Sequence, residues 1–180
     1  MSLKTEALNR HNEYRKNHGV CALTWSAKLH SCAQNWANNL AKKGYLQHEQ
    51  QNLYGENIAV MKGSELNGYK ATDMWYNEIK DYNFNNPGYN SQTGHFTQVV
   101  WADSKEFGIA KAVSSDGTEF VVARYFPPGN SLQMFKENVK PLTKTAVNKE
   151  NEPMRKKPLE PKPQPTKQSK KSEKRDCIIL

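Results

Sequence analysis

Four ionisable side chains stand out in the 180-residue chain: His48, Glu56, Glu78 and His95. Two imidazoles and two carboxylates can do three kinds of work. Neutral imidazole nitrogens suit zinc, with carboxylates filling the coordination sphere or orienting a water. The same four groups could form an acid/base set, because histidine titrates near neutrality. They could also form a structural hydrogen-bond cluster. Spacing alone does not choose among these, and no HExxH, CxxC or GxSxG pattern accompanies them. Nor is there an activated nucleophile in sight. After Glu56 the chain runs NIAVMKGSE, where Ser64 is the one nearby hydroxyl.

The elements that must position these groups follow from periodicity. Residues 94–101, GHFTQVVW, come after an Asn/Gly/Pro-rich loop and have the composition of a strand. Alternation would then place His95, Thr97, Val99 and Trp101 on one face, with His95 as the polar head of an apolar row. A first helix is expected over residues 3–17. A second should follow a Ser26 cap, with Leu29, Cys32, Ala33, Trp36, Ala37 and Leu40 as a core stripe and Gly44 as its stop. On that stripe Cys32 reads as a buried small hydrophobe. A third helix over residues 67–81 presents Ala71, Met74, Trp75 and Ile79, with Glu78 on or beside the buried stripe. A carboxylate there needs a partner, since burying an unpaired charge is costly. Two more strands, 108–113 and 119–126, flank a Ser-Ser-Asp-Gly hairpin signal. Helices first and a small antiparallel meander later give the α+β class.

Composition divides the chain in two. Every aromatic lies before residue 141, whereas residues 141–180 hold six of the nine prolines and +6 of the net +8 charge. The expected organisation is a folded domain over 1–140 and a disordered Pro/Lys-rich spacer over 141–180. The folded part is nearly neutral, which argues against nucleic acid as a partner. Cys21, Cys32 and Cys177 make no disulfide framework, residues 1–10 lack an apolar signal core, and no apolar run reaches the roughly 18 residues of a membrane span. A reduced, cytosol-facing protein, not one exported by a signal peptide, is the expectation.

Five motifs in order, HNEYR (11–15), GEN (55–57), WYNEI (75–79), GHFTQVVW (94–101) and ARYFPPGN (123–130), resemble the CAP superfamily. That superfamily comprises the cysteine-rich secretory, antigen 5 and pathogenesis-related proteins. The run from NEIKDYNF through GHFTQVVW is most similar to its Golgi-associated, cytosol-facing members. The resemblance implies an α-β-α sandwich with a broad cleft, in which His48, Glu56, Glu78 and His95 form a tetrad. Glu56 is carried over through GEN, Glu78 through WYNEI and His95 through GHFTQ, and His48 is the one histidine in the right interval. The resemblance also implies a divalent cation such as zinc, with His48 and His95 as its candidate ligands. It further implies a binding protein for lipid or protein more than an enzyme, with a serine-type or metal-dependent hydrolase as the rival and a secreted effector as a second.

The last four residues, CIIL, form a CaaX box in which Cys177 would be geranylgeranylated. Lys167, Lys170, Lys171, Lys174 and Arg175 lie just upstream and supply the second, electrostatic half of a membrane anchor. The expected partners are therefore an anionic membrane surface met by the prenyl group and basic tail, a lipid or protein in the cleft, and a second copy of the chain. The expected location is the cytosolic face of the Golgi, another endomembrane or the plasma membrane.

Overall fold

The structure is a computed structural model that describes residues 1–50, 53–144, 146 and 177–179. Helix α1 (Leu3–Asn17) begins where the Ser2 hydroxyl accepts from the Thr5 amide at 3.3 Å. Helix α2 (Ala27–Lys43) follows Ser26 and ends at Gly44, whose φ of +74° is the left-handed conformation expected of a stop. Its buried stripe is Leu29, Ala33, Trp36, Ala37 and Leu40. Cys32 lies beside that stripe and is only half-buried, which corrects its assignment to the core. Helix α3 (Gly68–Tyr76) is capped by Asn67, which accepts from the Lys70 amide at 2.9 Å. The expected third helix then tightens into a 3-10 turn, Asn77–Asp81, that carries Glu78.

Five strands follow the order β1-β3-β4-β2-β5: β1 (Thr24–Trp25), β2 (Gly55–Met61), β3 (Glu106–Val113), β4 (Glu119–Phe126) and β5 (Cys177–Ile179). The β3–β4 hairpin turns at Gly117 with φ of +81°, as the Asp-Gly signal requires. Strands β2, β3, β4 and β5 pair antiparallel, whereas β1 runs parallel to β3, so the sheet is mixed.

Alternation along β4 shows how the layers form. Val121, Ala123 and Tyr125 enter the core shared with Ala7, Trp75, Phe96 and Val99 of the three helices on one face. Phe120 and Val122 pack with Ala33, Trp36, Ala37 and Leu40 of α2 on the other. The result is a helix–sheet–helix sandwich. Gly108 is needed where α2 crosses β3, because a Cβ there would collide with the backbone of Leu29 and His30.

The stretch 94–101 is not a strand. Residues Gly94–Val100 form helix α4, with His95 through Val100 all buried. Strand alternation therefore does not apply, and His95, Thr97, Val99 and Trp101 do not share a face. The reason is tertiary. A short helix buried on every side shows no amphipathic period, so composition favours the wrong element. Its ends are instead satisfied from outside. Glu78 accepts the first-turn amides of His95 and Phe96 at 3.0 and 3.1 Å. At the other end, Arg15 of α1 donates to the carbonyls of Val99 and Trp101 at 3.1 and 2.8 Å.

The spacer expected over 141–180, with its basic residues Lys167, Lys170, Lys171, Lys174 and Arg175, lies largely outside the described residues. Within it, Cys177–Ile179 pairs with the outer edge of β2, Met61 facing Cys177 and Ala59 facing Ile179.

Candidate functional site: two histidine–carboxylate pairs in one cleft

His48, Glu56, Glu78 and His95 all line one cleft of about 540 Å³, together with Asn57, Tyr89, Ser91, Gln92, Gly94 and Asn130. That size is in the range of small-ligand sites.

One half of the site is rigid by construction. His95 sits in the first turn of α4 with a side chain 9% exposed, and its Nδ1 lies 2.7 Å from Glu78 Oε1. The other oxygen of Glu78 holds the two α4 amides. One carboxylate thus caps the helix and orients the ring it carries. Glu78 therefore has the partner that a carboxylate beside a buried stripe needs: the end of a helix as well as an imidazole. Asn130 of the ARYFPPGN motif completes the turn, accepting from Thr97 at 2.6 Å and donating to the Gly94 carbonyl at 2.9 Å. Below, Asn57 of GEN donates to the His95 carbonyl at 3.1 Å and to the Tyr125 hydroxyl at 3.2 Å. Tyr125 in turn contacts His11 at 2.8 Å. His11 anchors HNEYR in the core; burial holds it far below its ordinary value, at about 3, so it is neutral.

The other half is built differently. His48 is 53% exposed and lies on irregular chain after α2, with Nδ1 2.5 Å from Glu56 Oε1. Glu56 is 2% exposed and sits on β2 directly across from Arg124 on β4. Arg124 is fully buried and forms ion pairs with Glu56 at 2.9 Å and Glu49 at 2.6 Å. Burial of Glu56 is tolerated because this guanidinium compensates it. Arg124 and Glu49 escaped the sequence reading. The signal was present: an arginine inside FVVARYF, a run whose length and composition demand burial on both faces, needs acceptors for its guanidinium, and a carboxylate is the strongest of them.

In each pair the carboxylate, when ionised, can only accept, so the imidazole Nδ1–H is the donor. The carboxylates are thereby engaged with rings, amides and Arg124. The described residues hold no cluster of three or more His, Cys, Asp or Glu placed to surround an ion. What the described residues offer an ion is two imidazoles on one cleft wall, with water left to supply the remaining positions. Ser64 is not part of the cleft; it donates to Met61 Sδ and accepts from Lys70 Nζ, each at 3.0 Å. Ser91 is the serine on the cleft wall.

Residues 8–125 match the family description "Cysteine-rich secretory protein family", abbreviated CAP. The human Golgi-associated plant pathogenesis-related protein 1 is 45% identical over 141 residues, covering 76% of this chain and 91% of its own. Among solved structures, BmVAL-1 superposes with a TM-score of 0.62 at 25% identity, over 78% of this chain and 82% of that one. NaASP2, solved with Zn2+, gives a TM-score of 0.61 at 20% identity, over 81% and 88% of the two chains.

Proposed function

This chain belongs to the cysteine-rich secretory protein (CAP) family, and we propose that it is a non-enzymatic binding protein held on the cytosolic face of the Golgi, another endomembrane or the plasma membrane by a prenylated basic tail. The CAP domain spans 1–140, and 141–180 is the tether. Lipidation at Cys177 and the charges of Lys167, Lys170, Lys171, Lys174 and Arg175 attach it to an anionic leaflet. Two signals are needed because one lipid chain alone holds a membrane marginally. Processing would remove residues 178–180, and with them part of the strand that now covers the edge of β2.

The observation that carries the binding reading is the pairing of each imidazole through Nδ1 with a carboxylate in an open cleft. This arrangement places two carboxylate-oriented imidazoles on the wall of one cleft. A divalent ion such as zinc, when bound there by His48 and His95, would offer a Lewis-acidic anchor for an anionic lipid headgroup or a carboxylate of a protein partner. Calorimetric titration with zinc tests the site. Wild type should bind weakly near neutral pH, and binding should vanish in His95→Ala and fade below about pH 6, where an ordinary imidazole is protonated. Equal affinity in the two proteins would remove the histidines from the ligand set.

A second reading, a serine-type hydrolase, draws on Ser91 at the cleft wall, since a histidine oriented by a carboxylate is also the acid/base half of a triad. Turnover that disappears with Glu56→Gln and with Ser91→Ala would favour it.

A further inference from the structure

We propose that Glu49, held by Arg124, is a latch that positions His48, and that this one ion pair decides whether the cleft has one usable imidazole or two. The inference rests on the two-histidine binding reading and concerns how its weaker half is kept in place.

The two halves of the cleft are supported unequally. His95 is carried by a buried helix whose ends are both bound, so its ring has little freedom. His48 is half-exposed on a segment without regular structure. Among the described residues, a few bonds hold that segment. Trp36 Nε1 donates to the Gln47 carbonyl at 3.1 Å, and Lys43 Nζ donates to the side chain of half-buried Gln47 at 3.0 Å. The Glu49 amide donates to Glu56 Oε1 at 3.3 Å, a long bond to the same oxygen that receives His48. The Glu49 carboxylate accepts from Arg124 Nη2 at 2.6 Å, which among the described residues is the shortest link from the segment to the sheet apart from the His48 bond itself. Arg124 is fully buried on a strand with neighbours on both sides, so it is a fixed post. The neighbouring residue of His48 is thereby tied to the same guanidinium that neutralises Glu56. Loss of this tie would let residue 48 leave Glu56, because a half-exposed imidazole on a loose segment gains rotational freedom by doing so.

The choice of variant matters. Removing Arg124 would strand Glu56 as an uncompensated buried charge and threaten the fold. Removing Glu49 leaves Arg124 paired with Glu56 and takes away a carboxylate that is itself 39% exposed, so no uncompensated charge is left in the core. Glu49→Ala is therefore the test, in the full-length chain, with Glu49→Gln as a control that keeps an acceptor for Arg124.

Two readouts separate the latch from the reading it rests on. Hydrogen exchange of residues 47–50 should accelerate several-fold in Glu49→Ala, recover in Glu49→Gln, and leave α4 unchanged, with the melting temperature near wild type. Zinc affinity should fall about tenfold in Glu49→Ala, a loss typical of a residue one step behind a ligand. It should fall no further when Glu49→Ala is added to His48→Ala. Unchanged exchange at 47–50, or additive losses in the double variant, overturns the latch. Wild type that binds no zinc overturns the metal reading, and the latch then stands or falls on exchange alone.

Discussion

Replacing Arg15 with alanine is expected to cost about 3–5 kcal/mol of unfolding free energy, enough to leave a domain of ordinary stability, about 5–15 kcal/mol, close to unfolding. Arg15 is fully buried, and its guanidinium donates to four carbonyls: Cys21 and Ser104 at 2.8 Å each, Trp101 at 2.8 Å and Val99 at 3.1 Å. Burial pulls it down to about 10, so it remains charged at neutral pH. No carboxylate accepts from it in these bonds; the C-terminal carbonyls of α4 do much of that work. Alanine would strand them all in a dry interior and release the helix that carries His95. Arg15→Lys should be nearly as damaging, because a single ammonium cannot span four acceptors. Urea unfolding followed by tryptophan fluorescence reads the loss. A midpoint equal to wild type would show that α4 needs no clamp.

Acid should destabilise the domain progressively from about pH 6.5 downward. His11 is fully buried and held at about 3 chiefly by desolvation, with the charge of Arg15 adding to the shift and the Ala7 carbonyl opposing it. His18 is lowered as well, again chiefly by burial and against a bond to the Lys140 carbonyl. The native state keeps His11 neutral and disfavours the proton on His18, while the unfolded chain protonates both below its ordinary histidine value of about 6.5. The unfolded state then binds more protons. The stability is thus complete above about pH 6.5 and declines as the pH falls toward 3, for His11 by on the order of 1.4 kcal/mol per pH unit. Urea midpoints at pH 7.5 and 4.5 should differ clearly, and His11→Gln should flatten the difference. A midpoint independent of pH over that range would refute the assignment.

The parts of the fold that were legible in the sequence are those set by local chemistry. Ser26, Gly44 and the α2 stripe wrote the second helix, and Asp116-Gly117 wrote the hairpin. Helix α4 was not legible because nothing local to GHFTQVVW makes it a helix. Its β-branched residues favour a strand, and its capping groups, Glu78 and Arg15, lie on other elements. Strand β1 is two residues long and pairs in parallel with a distant partner, so it leaves no periodic trace. For the cleft, the need of Glu78 for a partner led to the right neighbour with the wrong element carrying it. The same logic applied to the arginine in FVVARYF would have reached Arg124, Glu56 and Glu49. The tail differs again: its reading rests on CIIL and the basic run, and most of it lies outside the described residues.

Membrane attachment tests the account most directly, and fractionation of cells expressing wild type and Cys177→Ser is the measurement. Wild type should sediment with membranes and carry a geranylgeranyl group at Cys177, read by intact mass. Cys177→Ser should move to the cytosol with an unchanged melting temperature. Neutralising Lys170, Lys171, Lys174 and Arg175 should weaken the attachment and its salt sensitivity while leaving the lipid in place. A Cys177→Ser protein that stays fully on membranes would contradict the tether and assign attachment to the folded domain.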